Sequence, residues 1–172
     1  KFYNKATKIF REINDKKSEA STMISIGWSL INLSDFENAM DNFNYGLKLS
    51  NEIDYKLGIS QSLHGTGNIY WYLGNKNKYL AYQIKALEIY EEINDSSSMS
   101  NVIGNIGLAY FDIENYQKAE EYYNKSLNIS KMTGHKSQEA HALSYFSGLY
   151  VAKKKFKEAL KYEFEALEIR KL

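Results

Sequence analysis

The sequence predicts an all-α fold, a solenoid of antiparallel helix pairs. Three observations predict it. Pro is absent and Gly numbers only 10 in 172 residues, which suits a chain made almost wholly of helices. A period of 40 residues runs through the chain without slippage. Inside each period the apolar residues fall at helical spacing, not at strand alternation.

The period is read position by position. Ile-Asn-Asp occurs at 13–15 and again at 93–95. Positions 27, 67, 107 and 147 are Gly, Gly, Gly and Ser, and positions 30, 70, 110 and 150 are Leu, Tyr, Tyr and Tyr. Positions 39, 79, 119 and 159 are Ala, Tyr, Ala and Ala, while 47, 87, 127 and 167 are all Leu. Ala6, Ile9, Phe10 and Ile13 match Ala86, Ile89, Tyr90 and Ile93. The chain therefore reads as one array over 1–172. Residues 1–15 are the tail of a preceding repeat, followed by repeats at 16–55, 56–95, 96–135 and 136–172.

The elements follow in order. A leading helix is expected over about 2–13. Each repeat then has a first and a second helix. The first helices are expected near 17–33, 57–73, 97–113 and 137–153, and the second near 36–53, 76–93, 116–132 and 156–171. In the third repeat, Ile103, Ile106, Gly107 and Tyr110 form the first stripe. Tyr116, Ala119, Tyr122, Tyr123, Ser126 and Leu127 form the second. The polar turns between them, such as Asp112-Ile113-Glu114-Asn115, are so short that the paired helices must be antiparallel neighbours. Mid-helix Gly costs about 1 kcal/mol against Ala, so a close helix contact must offset it. Ala39, Ala119 and Ala159 are the expected partners. Ala86, Ser126 and Ala166 are expected to face the next repeat. The second repeat departs from the pattern at Lys76, Tyr79 and Gln83. Either its second helix starts out of place or Tyr79 points outward over the turn.

Composition excludes several functions. Lys+Arg is 22 against 21 Asp+Glu, so no global field favours nucleic acid or an anionic membrane. Cys is 0, which removes disulfides, thiol nucleophiles and zinc–cysteine sites. No run of about 18 apolar residues is present for membrane insertion, and no signal peptide is evident. The chain opens inside a helical pattern without an initiator Met, so it reads as a piece of something longer.

The chemistry-bearing residues do not converge. His64 and His141 lie two repeats apart and His135 falls in a turn, so no metal site is expected. Glu91-Glu92 and Glu120-Glu121 are helical neighbours that diverge in direction and form solvated faces. Gly65-Thr66-Gly67-Asn68 falls inside a helix by register, so a phosphate cradle is not expected. Lys153, Lys154, Lys155, Lys157 and Lys161 form a basic cluster that complements a helix C-terminus. No catalytic residue and no cofactor is expected.

The repeated residues resemble the tetratricopeptide repeat. The third repeat carries that pattern as Ile103, Ile106, Gly107, Tyr110, Ala119, Tyr123 and Ser126, and the first as Met23, Ile26, Gly27, Leu30, Ala39, Phe43 and Gly46. The 40-residue form resembles the repeats of spindle-orientation adaptors and of bacterial sensor proteins. The kinesin light chain has a related long repeat. The resemblance implies a right-handed superhelix whose first helices line a concave groove. It also implies a protein or peptide ligand in that groove, and a cytoplasmic regulatory or sensory region of a larger signalling protein. The groove positions implied are Trp28, Ile31 and Asn32; His64, Asn68, Trp71 and Tyr72; Asn101, Leu108, Phe111 and Asp112; and His141. They hold no Lys or Arg, so a clamp for acidic peptide tails is not expected. Asn68 follows Gly67 as in the Gly-Asn pair of the adaptor repeats, where such Asn residues bond the bound peptide. The alternative is a structural spacer or a homo-oligomer formed through exposed solenoid ends.

Overall fold

Turns of two or three residues between successive helices set the fold. In the computed structural model the described residues run from 2 to 171, with side chains described from 5 onward. The helices are α1 Phe2–Glu12, α2 Lys16–Asn32, α3 Phe36–Glu52, α4 Lys56–Tyr72, α5 Lys76–Glu92, α6 Ser96–Asp112, α7 Tyr116–Thr133, α8 Lys136–Ala152 and α9 Phe156–Arg170. No strand occurs among the described residues. The expected helices agree with these bounds to within one residue.

Between helices the chain turns through one left-handed residue. Positive φ occurs at Asn14, Ser34, Asp54, Asn94, Glu114 and Lys154, and at Gly74 and Gly134, all in the same place in the turn. The next residue closes a Schellman bond back into the finished helix. Asp35 N–H donates to Leu30 C=O, Asn75 to Tyr70 and Asn115 to Tyr110, each at 2.9 Å. That closing residue is also the N-cap of the following helix. Asp15, Asp35, Asn75, Asp95 and Asn115 each accept the N–H three residues on, satisfying an otherwise orphaned donor.

The chain divides into two compact units, Lys1–Ile93 and Asn94–Leu172. In the first, α2 pairs with α3 and α4 with α5, α3 packs on α4, and α2 lies beside α4. Its core gathers Ile24, Ile31, Ala39, Phe43 and Ile69. In the second, α6 pairs with α7 and α8 with α9, α7 packs on α8, and α6 lies beside α8. Tyr123, Leu127, Leu143, Phe146 and Leu149 are the larger residues of its core.

The glycines serve aromatic rings more than alanines. A Cβ on Gly27 would sit 2.9 Å from Phe43, and one on Gly65 would overlap the same ring. One Phe thus fills the gap of two first helices, α2 and α4. A Cβ on Gly107 would lie 2.6 Å from Tyr123, not against Ala119 as expected. Gly46 and Ser126 contact their own repeat, where Ser126 was expected to face the next. Gly46 faces Ile24 of its own repeat. Ser126 Oγ donates to Ser100 C=O at 2.7 Å, and Ser100 Oγ donates back to Ser126 C=O at 3.0 Å. Both are contacts within a helix pair.

Neither expectation for Tyr79 holds. Helix α5 starts in register at Lys76, and Tyr79 is buried. Its ring lies 5.0 Å from Trp71. In the third repeat, Phe111 packs on Tyr116 at 5.6 Å instead. The second repeat has moved its supporting aromatic one helical turn, from the place Lys76 occupies to position 79.

Candidate ligand-binding surfaces

In the first unit the expected groove residues separate into surface and core. Trp28 is half-buried, edge-on to Phe43 at 5.4 Å and to His64 at 5.3 Å. Trp71 is half-buried, with its inner face on Tyr79 and the Lys76 ammonium 3.3 Å from its ring centroid. That cation–π contact holds the indole in place. Asn68 is half-buried, and its Oδ1 accepts from Gln83 Nε2 at 3.2 Å. Gln83 is fully buried and fixes the direction of the Asn68 amide from beneath.

Two residues are corrected to the core. His64 is buried between Trp28 and Tyr90, and burial lowers its pKa from 6.5 to about 4. It is a neutral core group and presents no edge to a ligand. Ile31 is buried as well, packed with Ile24, Phe43 and Ile69. Tyr72 is exposed but stacks on Phe36 of α3 at 5.3 Å, so it covers the neighbouring helix. Asn32 is exposed at the end of α2.

In the second unit Leu108 and Phe111 of α6 meet Ser144, Tyr145 and Gly148 of α8 around a cavity of about 140 Å³, floored by Tyr123. No charged residue lines it. The Tyr145 ring stacks on Tyr123 at 5.1 Å and its hydroxyl donates to Asn105 Oδ1 at 3.1 Å. Burial raises the Tyr145 pKa, which keeps the phenol neutral. A Cβ on Gly148 would meet nothing within 4 Å, so the cavity is open there. Asn101 and His141 are both exposed and border a narrow crevice with Gln138. Asp112 is exposed at the end of α6. The basic cluster is divided, since Lys153 pairs with Glu120 of α7 while Lys157 and Lys161 remain exposed.

Tyr145 and Gln83 shape these surfaces, and the sequence reading did not assign them. Gln83 carries a signal, because it breaks the Phe43 and Tyr123 pattern directly under Asn68. Tyr145 carries none, because position 145 matches Asn105 and Gly65. No group of three or more His, Asp or Glu residues that could hold a metal occurs among the described residues. Among the described residues no helix is long and apolar enough to cross a membrane.

The sequence profile named tetratricopeptide repeat matches residues 58–132 and 95–171. No curated protein matches the chain. The fold is similar to aspartyl phosphate phosphatase F from Bacillus subtilis, with TM-score 0.88 and 16% identity, covering 99% of this chain and 45% of that one. It is similar to BtubC (BKLC) from P. vanneervenii, with TM-score 0.78 and 17% identity over 98% of this chain and 73% of that one. A third similar structure is a signal transduction ATPase with numerous domains from Pyrococcus horikoshii, which carries a tetratricopeptide repeat sensor. There the TM-score is 0.80 and the identity 22%, over 98% of this chain and 28% of that one.

Proposed function

The chain belongs to the tetratricopeptide repeat family, and on that premise we propose that it is a protein-interaction scaffold which binds a peptide or helix through its first helices. The observation that carries this is the uncharged cavity between α6 and α8. An opening of about 140 Å³ with apolar walls takes one large apolar side chain. Interfaces concentrate their energy in such anchors. Asn101 and His141 offer polar edges nearby in the same unit, as a bound backbone requires. In the first unit, the half-buried Trp71, covered by Lys76, and the oriented amide of Asn68 stand on the same helix. The proposal includes no catalytic activity, cofactor or metal. It includes a cytoplasmic setting, as a regulatory or sensory part of a larger signalling protein. The Pyrococcus protein with its tetratricopeptide repeat sensor supports that setting by likeness of fold.

The test is selection of binders from a displayed random-peptide library against the 172-residue chain. Selected peptides are expected to share a large apolar residue. Phe111→Ala and Gly148→Leu are expected to weaken them about thirtyfold or more, matching an anchor of about 2 kcal/mol. Trp71→Ala does the same for peptides reaching the first unit. Circular dichroism should remain helical in each variant. Peptides that bind all variants equally, or a selection that yields none, would overturn the reading.

A further inference from the structure

The walls of the α6–α8 cavity have counterparts earlier in the chain, and there the corresponding residues are larger. In the 40-residue register, Leu108, Ser144 and Gly148 stand where Trp28, His64 and Asn68 stand in α2 and α4. Tyr123 on the floor stands where Phe43 does. In the first unit the Trp28 indole meets the Phe43 ring at 5.4 Å and the His64 ring at 5.3 Å, edge-on to both at 78°. Such T-shaped contacts are a favoured packing of aromatic rings. In the second unit all three wall residues are smaller, and a Cβ on Gly148 would meet nothing within 4 Å. Tyr145 does not make up the loss, although it stands where Gly65 does. Its ring lies nearly flat on Tyr123, at 5.1 Å and 17°. It occupies the gap at Gly104, where a Cβ would come within 2.8 Å of it. The hydrogen bond to Asn105 Oδ1 at 3.1 Å holds it there. The cavity of about 140 Å³ is what remains when an indole and an imidazole give way to Leu and Ser.

We propose that this cavity takes an indole ring, the tryptophan side chain of a bound peptide. The assignment rests on the peptide-binding reading above and names the anchor that reading leaves open. Trp28 is its template within the chain. Apolar cavities of about 150 Å³ stay dry and accept a benzene ring. The six-membered ring of the indole therefore enters the cavity, and the pyrrole edge stays at the mouth beside Gly148, where its N–H meets water or the peptide's own backbone. The inserted ring lies edge-on to Tyr123 as Trp28 does to Phe43. A charged side chain is excluded, because no wall residue carries a charge to pair it. A leucine side chain would fill part of the space but forgo the ring contacts that Phe111, Tyr123 and Tyr145 offer.

Titration of the 172-residue chain with N-acetyl-tryptophanamide, followed by NMR, tests the site without any selected peptide. Binding is expected with a Kd on the order of 1 mM, with ring-current shifts at the Leu108 methyl groups and the Gly148 amide. N-acetyl-leucinamide should bind at least about fivefold more weakly. Leu108→Trp should fill the space from within, as Trp28 does in the first unit. It is expected to keep its helical circular dichroism, raise the unfolding midpoint and abolish binding of the tryptophan amide. Absence of shifts in the parent chain, equal binding of the leucine amide, or a lowered midpoint in Leu108→Trp overturns the indole assignment. The peptide reading fails separately. Library peptides that respond to Phe111→Ala but carry no Trp uphold that reading and overturn the indole. Tryptophan-amide shifts at Leu108 and Gly148, with no peptide selected, uphold the indole site and overturn the peptide as its source.

Discussion

Gly107 and Gly148 both sit mid-helix, and their surroundings give them opposite roles. A Cβ on Gly107 would lie 2.6 Å from the Tyr123 ring and 3.1 Å from Tyr122 Cβ. Gly107→Ala is therefore expected to destabilise by roughly 1–3 kcal/mol through overpacking. A Cβ on Gly148 enters open space, so Gly148→Ala should stabilise by about 0.5–1 kcal/mol through helix propensity. Thermal unfolding of the two variants beside the parent checks both signs. Equal shifts would mean that the Tyr123 ring yields. Gln83 has a different residue-level tension. It is buried with Oε1 unpartnered, a cost that an apolar side chain would avoid. Its one hydrogen bond goes to Asn68, which ties the cost to the candidate surface.

The elements owe their sharp ends to their turns, and not every turn residue suits its place. Glu114 and Lys154 hold φ values of 60° and 58°, where a side chain costs about 1–2 kcal/mol. Gly74 and Gly134 occupy the equivalent places without that cost. Glu114→Gly is expected to gain about 0.5–1 kcal/mol, net of the added freedom of the unfolded chain. The caps point the other way. Asp95 accepts from Ser98 N–H at 3.1 Å and from Ser98 Oγ at 2.7 Å, so Asp95→Ala should cost about 1 kcal/mol. His135 leads α8 with no side-chain cap, and His135→Asp should recover a similar amount. Urea unfolding with unchanged slope measures all three.

At the scale of the molecule, stability should respond to mild acid through His64. Its pKa falls from 6.5 to about 4 on folding because the ring is buried. The unfolded chain therefore binds the proton more readily between those values. Stability is full above pH 6.5 and declines as pH falls toward 4, by about 2 kcal/mol between pH 6.5 and 5. Asp15, Glu52 and Glu121 have pKa values held below the ordinary carboxylate range by their hydrogen-bond partners, and their contribution is lost only at lower pH. Denaturation midpoints at pH 5 and 7 should differ in the parent and converge in His64→Leu. A parent midpoint that is flat over this window would show that the ring is reached by water.

The period and the helix ends were legible in the sequence. Each is a local signal of spacing and turn chemistry, repeated along the chain and so readable against its own copies. The burial of His64 was not legible, because it depends on Trp28 and Tyr90, contributed by two other helices. The pairing of Tyr79 with Trp71 escaped for a related reason. A ring moved one turn breaks the repeat, and only packing reveals what it now supports. Gly65 fell inside a helix by register, but the reason for a glycine there, the Phe43 ring, came only from packing. The wall that Tyr145 gives the α6–α8 cavity had no counterpart at the equivalent positions. Spacing along one helix determined the elements. The surface that remains open to a ligand was decided by which side chains, distant in sequence, reach the same space first.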